Sequence, residues 1–147
     1  MFTHILVPTD GSSLSQHAAR RAVSLAGEIG ARITAFHAIP ELRPPFYDEN
    51  IRLENDMWDE CARLARREAN EYLGFVQRLC FAEGVGFDAI AEMSDVPYEA
   101  IITAAEQCGC DLIVMASHGR RGLSALILGS ETHKVLTHSR IPVLVCR

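Results

Sequence analysis

Two glycine-containing turns carry residues that could do chemistry. The first, Ser117 to Gly122 (SHGRRG), ends an apolar run and includes Arg120 and Arg121, and the second, Gly129-Ser130, opens a helical pattern. Backbone N–H groups at a glycine turn and at a helix N-terminus bind anions. Guanidinium groups suit bidentate phosphate contacts. The two turns together predict a phosphate site.

The same turns also have a purely structural interpretation. Glycine after a strand is ordinary turn chemistry, and Ser130 could serve only as the N-cap of a helix over 131–138. A structural turn needs no pair of arginines, however, so Arg120 and Arg121 favour the phosphate site. Exposed arginines are common, and both interpretations stay open on this evidence.

Asp10 is the second candidate, just after the first apolar strand. It can cap the turn that follows, or it can face the crevice beyond the strand end and accept hydrogen bonds from sugar hydroxyls. We favour the crevice. His118 is a candidate general base without a visible carboxylate partner, and we do not expect the adjacent Ser117 to face it as a nucleophile. These residues favour a binding module over an enzyme.

Strands and helices alternate along the chain and must position these residues. Apolar runs predict strands over 4–8, 31–39, 87–93, 111–116 and 141–146, and helical periodicity predicts helices over 12–28, 51–82, 98–107 and 131–139. Strict alternation predicts one α/β domain over residues 1–147, a doubly wound, Rossmann-like sheet of five parallel strands with helices on both faces. If strands one and four are neighbours, both turns and Asp10 share one crevice. A hydroxyl acceptor beside a phosphate cradle suits a nucleotide.

The segment between strands two and three has two parts. Residues 40–50 contain three prolines and no periodicity, which predicts a loop. The helix over 51–82 carries an apolar stripe that we expect to face the core, and Trp58 is interpreted as a core or partner contact. The stripe consists of Met57, Cys61, Leu64, Ala65, Tyr72, Val76, Leu79 and Cys80.

Composition excludes several other classes of protein. A net charge of −5 with 48% apolar residues describes a soluble globular chain and argues against a nucleic-acid surface. The five cysteines lie mostly in apolar patterns, which predicts core thiols in a reducing compartment, and Cys108 and Cys110 lack metal-site spacing. There is no signal-peptide pattern and no membrane-length apolar run. We therefore expect a cytoplasmic protein.

Two common nucleotide motifs are absent. A P-loop needs Gly-Lys-Ser/Thr, and the only lysine, Lys134, does not follow a glycine. A dinucleotide fingerprint needs three spaced glycines after the first strand, where Gly11 stands alone. A phosphate site in this chain must therefore be of another type.

Four segments carry a resemblance to a known family, namely ILVPTDGS at 5–12, FHAI at 36–39, DLIVMASHGRRGLSALILGS at 111–130 and IPVLVCR at 141–147. Together they resemble the universal stress protein family over essentially the whole chain. The nucleotide-binding branch of that family is marked by G-x-x-G, nine residues, then G-[S/T]. Here Ala116 stands at the first glycine, while Gly119, Gly129 and Ser130 match. A methyl group at Ala116 is compatible with a backbone that needs no positive φ.

The resemblance implies a ligand and a set of site residues. Asp10 would hold the ribose hydroxyls of ATP, the backbone around Ala38 would meet the adenine, and the glycines would cradle the phosphates. Any Mg²⁺ would be held mainly by the phosphates. The implied site comprises Pro8, Thr9, Asp10, Ala38, Ala116, Ser117, His118, Gly119, Arg120, Gly129, Ser130, Glu131 and Thr132.

The resemblance also implies a biological role. The protein would be a stress-response module whose bound nucleotide or dimerisation signals to an unidentified protein partner. The apolar strand at 142–145 would leave an edge that pairs with its twin in a homodimer. Two alternatives stay open: a slow ATPase or nucleotide phosphotransferase using the same crevice, and a nucleotide-free dimeric scaffold.

Overall fold

The computed structural model describes residues 1–41, 52–120 and 128–147. Strands and helices alternate over these ranges, as the sequence predicts. Of the predicted loop over 40–50, the structure describes only residues 40 and 41. Arg121 and Gly122 also lie outside the described residues. The elements are β1 (His4–Pro8), α1 (Ser13–Ile29), β2 (Arg32–Ile39), α2 (Arg52–Glu83), β3 (Phe87–Met93), α3 (Pro97–Gln107), β4 (Leu112–Ala116), α4 (Ser130–His138) and β5 (Val143–Cys146).

The five strands form one parallel sheet in the order β3-β2-β1-β4-β5. This confirms the predicted α/β fold. The first and fourth strands are neighbours, which is the condition for a shared crevice. The strand order reverses between β1 and β4, where ligands of open parallel sheets bind. The edges are β3, which is largely exposed as the sequence predicts, and β5.

The core consists of two apolar clusters, one on each face of the sheet. Ile5 and Val7 of β1 pack with residues of α1 and α2, whereas Leu6 between them packs with residues of α3 and α4. Alternate side chains of a strand point to opposite faces, so a strand covered on both sides must be apolar throughout. β1 and β4 are buried along their whole length.

Helix α1 begins and ends where its sequence signals predict. Ser12 has an extended backbone, and its hydroxyl accepts a hydrogen bond from the N–H of Ser15 at 3.2 Å. Gly30 ends the helix with φ of 71°, a left-handed conformation that glycine adopts without steric cost. The cap at Ser12 sets the direction in which α1 leaves the end of β1.

The prediction that the apolar stripe of α2 faces the core is right for only half of the helix. Val76 and Cys80 are fully buried, but Met57 is 67% exposed, Leu64 is 48% exposed and Cys61 is exposed. The reason is length. A helix of 32 residues spans about 48 Å, while the eight-residue strand β2 spans about 26 Å. The first half of α2 therefore projects beyond the sheet, and Trp58 on it is half-buried.

Candidate functional site

The crevice lies beyond the carboxyl ends of β1 and β4. Asp10 follows β1, and the Ser117–Arg120 segment follows β4. The two meet directly, because the backbone N–H of Arg120 donates to Oδ2 of Asp10 at 2.9 Å. A Cβ atom at Gly119 would collide with the same Asp10 oxygen. Only glycine lets the loop after β4 approach the carboxylate this closely.

Asp10 both caps its own turn and faces the crevice. Its Oδ1 accepts the backbone N–H of Ser12 at 2.9 Å, while Oδ2 accepts from Arg120. Burial alone would raise the pKa of Asp10, but hydrogen bonds from Ser12, Arg120 and Ser15 outweigh it and lower the pKa. The carboxylate is therefore ionised at neutral pH. Each carboxylate oxygen has two acceptor sites, which leaves capacity for ligand hydroxyls.

Helix α4 presents its N-terminus to the same crevice. Its N-cap residue, Gly129, has no side chain to cap the first turn, and in the described part of the chain the N–H groups of Ser130, Glu131 and Thr132 have no acceptor. Gly129 lies against His118, so closely that a Cβ atom would come within 2.9 Å of the His118 Cα. The helix dipole and free N–H groups make this end suitable for an anion.

Ala116 stands at the buried end of β4. It is 8% exposed, and its carbonyl accepts the hydroxyl of Thr132 at 2.9 Å. No residue other than glycine has a positive φ within the described ranges. The backbone conformation at Ala116 therefore does not require glycine. The hydrogen bond from Thr132 to the Ala116 carbonyl connects α4 to the sheet.

Ser117 and His118 face each other, contrary to the sequence-based expectation. Ser117 Oγ lies 3.1 Å from Nδ1 of His118, and Ser117 is 5% exposed. Adjacent residues can meet here because the chain leaves the strand at Ser117, whose N–H still pairs with Cys146 while its carbonyl accepts Gly129 N–H at 2.8 Å. Among the residues that the structure describes, no carboxylate contacts His118, so the pair lacks the group that would orient it as a base.

The end of β2 forms the other wall of the crevice. The N–H of Thr9 donates to the Phe36 carbonyl at 2.8 Å, and His37 Nδ1 donates to the Thr9 carbonyl at 2.7 Å. Pro8 pairs with Phe36, and Ala38 continues β2 two residues beyond that pair. Ala38 is half-buried and faces the α3 and α4 side of the sheet. Pro8, Thr9 and Ala38 therefore lie at the same edge of the sheet as Asp10.

Comparison with known proteins shows the family to which the chain belongs. The model of the universal stress protein family matches residues 1–147. The chain belongs to the universal stress protein family. A universal stress protein of Thermus aquaticus is 35% identical over 153 residues, covering both chains completely. One of Methanocaldococcus jannaschii is 33% identical over 148 residues, covering all of this chain and 83% of the relative.

Solved structures show the same fold. A hypothetical protein of Methanocaldococcus jannaschii has TM-score 0.81 and 28% identity, with 99% of this chain and 95% of that chain covered. Two more distant universal stress proteins were solved with nucleotides, one with cAMP (TM-score 0.72, 22% identity) and one from Archaeoglobus fulgidus with dAMP (TM-score 0.66, 17% identity). Each comparison covers at least 97% of both chains.

One predicted site residue of this universal stress protein has its side chain engaged elsewhere. Glu131 accepts the backbone N–H of Tyr98 at 2.9 Å through Oε2, and Lys134 donates to its Oε1 at 3.1 Å. Its carboxylate thus caps the start of α3, which has no side-chain cap of its own. The side chain of Glu131 is thus directed at α3 and Lys134, while its backbone N–H at the start of α4 is available to a ligand.

Sequence reasoning missed Tyr72 as a neighbour of the crevice. Its ring covers Gly11, where a Cβ atom would collide with it, and it meets His37 edge to face at 5.2 Å. A pocket of about 310 Å³ opens beside it, lined by Thr9, Gly11, Gln16, Glu71, Tyr72, Phe75 and Arg78. The helical spacing of Tyr72 is that of a core residue, so only the length and packing of α2 could have indicated this role.

The described residues contain neither a metal-binding cluster nor a membrane-spanning helix. No group of three or more His, Cys, Asp or Glu residues could hold a metal ion within residues 1–41, 52–120 and 128–147. No helix in these ranges is both long and apolar enough to cross a bilayer.

Proposed function

We propose that this universal stress protein binds an adenine nucleotide, ATP, as a regulatory ligand in the crevice beyond β1 and β4. The observation that carries the proposal is the pairing of an ionised Asp10 with the uncapped N-terminus of α4, across a loop in which Gly119 and Gly129 approach other groups too closely for a side chain. An acceptor for hydroxyls and a donor set for anions stand in one crevice. A nucleotide carries both groups.

The residues divide by the part of the nucleotide that they would meet. Asp10 would accept hydrogen bonds from the ribose hydroxyls, and the backbone near Ala38 would meet the adenine. The N–H groups of Gly119 and Ser130 would donate to phosphate oxygens. Gly129, whose own N–H is bonded to the Ser117 carbonyl, would complete the phosphate cradle by leaving space for the phosphates. Mg²⁺, a cation that retains several waters and binds phosphates, would be held mainly by the nucleotide.

The solved relatives support the ligand class. The cAMP and dAMP complexes are formed by proteins of the same fold, and both ligands combine adenine, a sugar and phosphate. Since their identity to this chain is 22% and 17%, the likeness is one of fold, and the case for this chain depends on its own residues.

The proposal includes a homodimer that signals to a protein partner. β5 is an edge strand in which Leu144 is 45% exposed, so its outer edge can pair with a second copy. β5 also pairs with β4, whose end leads into the crevice. The proposed dimer contact on β5 would therefore be connected to the proposed nucleotide site through β4.

The test is to identify small molecules retained by the purified protein. The protein is prepared without added nucleotide, denatured, and analysed by mass spectrometry for released ATP or ADP. In the variant Gly129→Ala, φ of −60° suits alanine, but the methyl group would come within 2.9 Å of the His118 Cα, so the loop after β4 must shift. We expect wild type to release nucleotide and Gly129→Ala to release at least about tenfold less, the effect of losing about 1.4 kcal/mol of binding.

Gly27→Ala is the matched control. A Cβ atom there has only an ordinary contact, 3.8 Å from Val85 Cγ2, on the exposed side of α1. It should release as much nucleotide as wild type. A wild-type protein that releases none, and also fails to bind added Mg-ATP in equilibrium dialysis, would contradict the proposal and favour the nucleotide-free scaffold.

A further inference from the structure

Tyr72 of α2 is seated directly on the end of β1. Its ring occupies the space that a side chain at Gly11 would fill, and Gly11 has φ of 76°, a conformation that favours glycine. The edge of the ring meets His37, which is itself bonded to the Thr9 carbonyl. The Tyr72 ring is thus held against Gly11 and His37 at the crevice, and it is more than a filler of the core.

Arg120 is held from two directions by residues of the crevice. Its backbone N–H donates to Oδ2 of Asp10. Its guanidinium lies over the ring of Tyr72, with Cζ 4.9 Å from the ring centroid, and donates to the Tyr72 hydroxyl. We use the name Arg120 clasp for these contacts among Asp10, Tyr72 and Arg120. The clasp joins the loop after β4 to the end of β1 and to α2.

The clasp uses the groups that a nucleotide would need. A guanidinium binds a phosphate best through two parallel N–H donors, and one of its donors is directed at Tyr72. The Tyr72 ring also makes a cation–π contact with the guanidinium. A guanidinium has five N–H donors, so a phosphate can pair with those that remain. To take the Nη2 N–H that is directed at Tyr72, or to draw the guanidinium away from the ring, the phosphate must replace contacts with Tyr72.

We propose that Tyr72 competes with the nucleotide's phosphates for Arg120, so that the clasp lowers the apparent affinity of the crevice for nucleotide. This inference rests on the proposed function of the same site. When the binding-competent form is only a fraction of the free protein, the apparent dissociation constant rises by the inverse of that fraction. Weakening the clasp should therefore tighten nucleotide binding.

Tyr72→Phe is the variant that tests this. Phenylalanine keeps the ring on Gly11 and His37 but removes the hydroxyl that accepts from Arg120. By isothermal titration calorimetry we expect the variant to bind Mg-ATP roughly three- to tenfold more tightly than wild type does. This is the range of a typical net hydrogen bond, and it applies because Arg120 is exposed and water screens its charge. Adenosine has no phosphate to compete for Arg120, so its affinity should not change.

Tyr98→Phe is the matched control. Tyr98 also has a cation over its ring, Lys134 at 5.4 Å, and its hydroxyl donates to Glu99 at 2.8 Å, but it lies on α3. Circular dichroism and thermal unfolding check that both variants are folded. Tyr98→Phe should bind Mg-ATP with wild-type affinity.

Each other outcome has a defined meaning. If wild type binds Mg-ATP and Tyr72→Phe binds it equally or more weakly, the clasp does not compete with phosphate and only this inference fails. A gain in Tyr72→Phe that is the same for adenosine also contradicts competition at Arg120. If neither protein binds Mg-ATP, both this inference and the proposed function are wrong.

Discussion

His4 is a buried titratable side chain at the opposite end of β1 from the crevice. It is 7% exposed, and its Nε2 lies 2.8 Å from the Thr34 hydroxyl. Burial lowers the pKa of His4 and the charge of Arg32 lowers it further, while a backbone contact with Cys108 and the charge of Asp111 act in the opposite direction. The folded protein therefore favours the neutral imidazole.

This pKa shift predicts acid sensitivity. Because the unfolded chain binds a proton more readily, the stability that His4 contributes is fully present above about pH 6.5 and is lost as pH falls through that value toward the folded pKa. Urea unfolding at pH 7.5 and pH 5 should show that His4→Gln loses less stability on acidification than wild type. At pH 7.5 the variant should be less stable, by about 1 kcal/mol, since the contact with Thr34 changes.

His17→Gln is the control, because His17 is an exposed residue of α1. It should retain the wild-type difference between the two pH values. An equal loss of stability in His4→Gln and wild type would show that His4 does not sense acid in the folded state.

At the residue scale, the sequence could indicate which side chains meet but not how each is used. Asp10 and Gly119 are predictable, because a carboxylate and a glycine after neighbouring strands must converge. The contact between Ser117 and His118 and the capping of α3 by Glu131 depend on the path of the loop and on the packing of two helices. The residue types alone carry no signal for either.

At the scale of elements, edge strand β5 is the place where a second copy would bind. β5 is paired on one side only, with β4, and Leu144 is more exposed than its neighbours Val143 and Val145. In a two-fold dimer each residue near the axis meets its own copy or a close neighbour. A lysine at Leu144 would place like charges near each other.

We expect wild type to be a dimer in sedimentation equilibrium, and Leu144→Lys to weaken the dimer by at least about tenfold, or 1.4 kcal/mol. Met93→Lys is the matched control, since Met93 is 53% exposed on the other edge strand, β3. It should leave the dimer intact. A monomeric wild type, or dissociation caused only by Met93→Lys, would contradict pairing through β5.

Element types were predictable because hydrophobic periodicity and caps are local. Ser12 and Gly30 mark the ends of α1 by chemistry that needs no tertiary contact. The exposed half of α2 was not predictable from its stripe, because periodicity reports one apolar face and not whether the sheet is long enough to cover it. Met57 and Leu64 fit the period and still lie in solvent.

At the scale of the whole molecule, strand order places the crevice. The alternation of strands and helices predicts a parallel sheet, and the pairing of β1 with β4 brings two turns together that are more than 100 residues apart in sequence. The chain could therefore reveal a shared site, provided that those strands are neighbours. The Arg120 clasp was beyond sequence reasoning, because it joins three separate elements through side chains.

The most direct test of the account is to locate bound nucleotide on the molecule. Backbone amide signals are followed by NMR while Mg-ATP is added to the wild-type protein. We predict saturable shifts that are largest at Gly119, Arg120, Gly129 and Ser130, with a common dissociation constant. Saturable shifts confined to Gln16, Phe75 and Arg78, at the pocket between α1 and α2, or no saturable shift at all, would contradict a nucleotide site at the ends of β1 and β4.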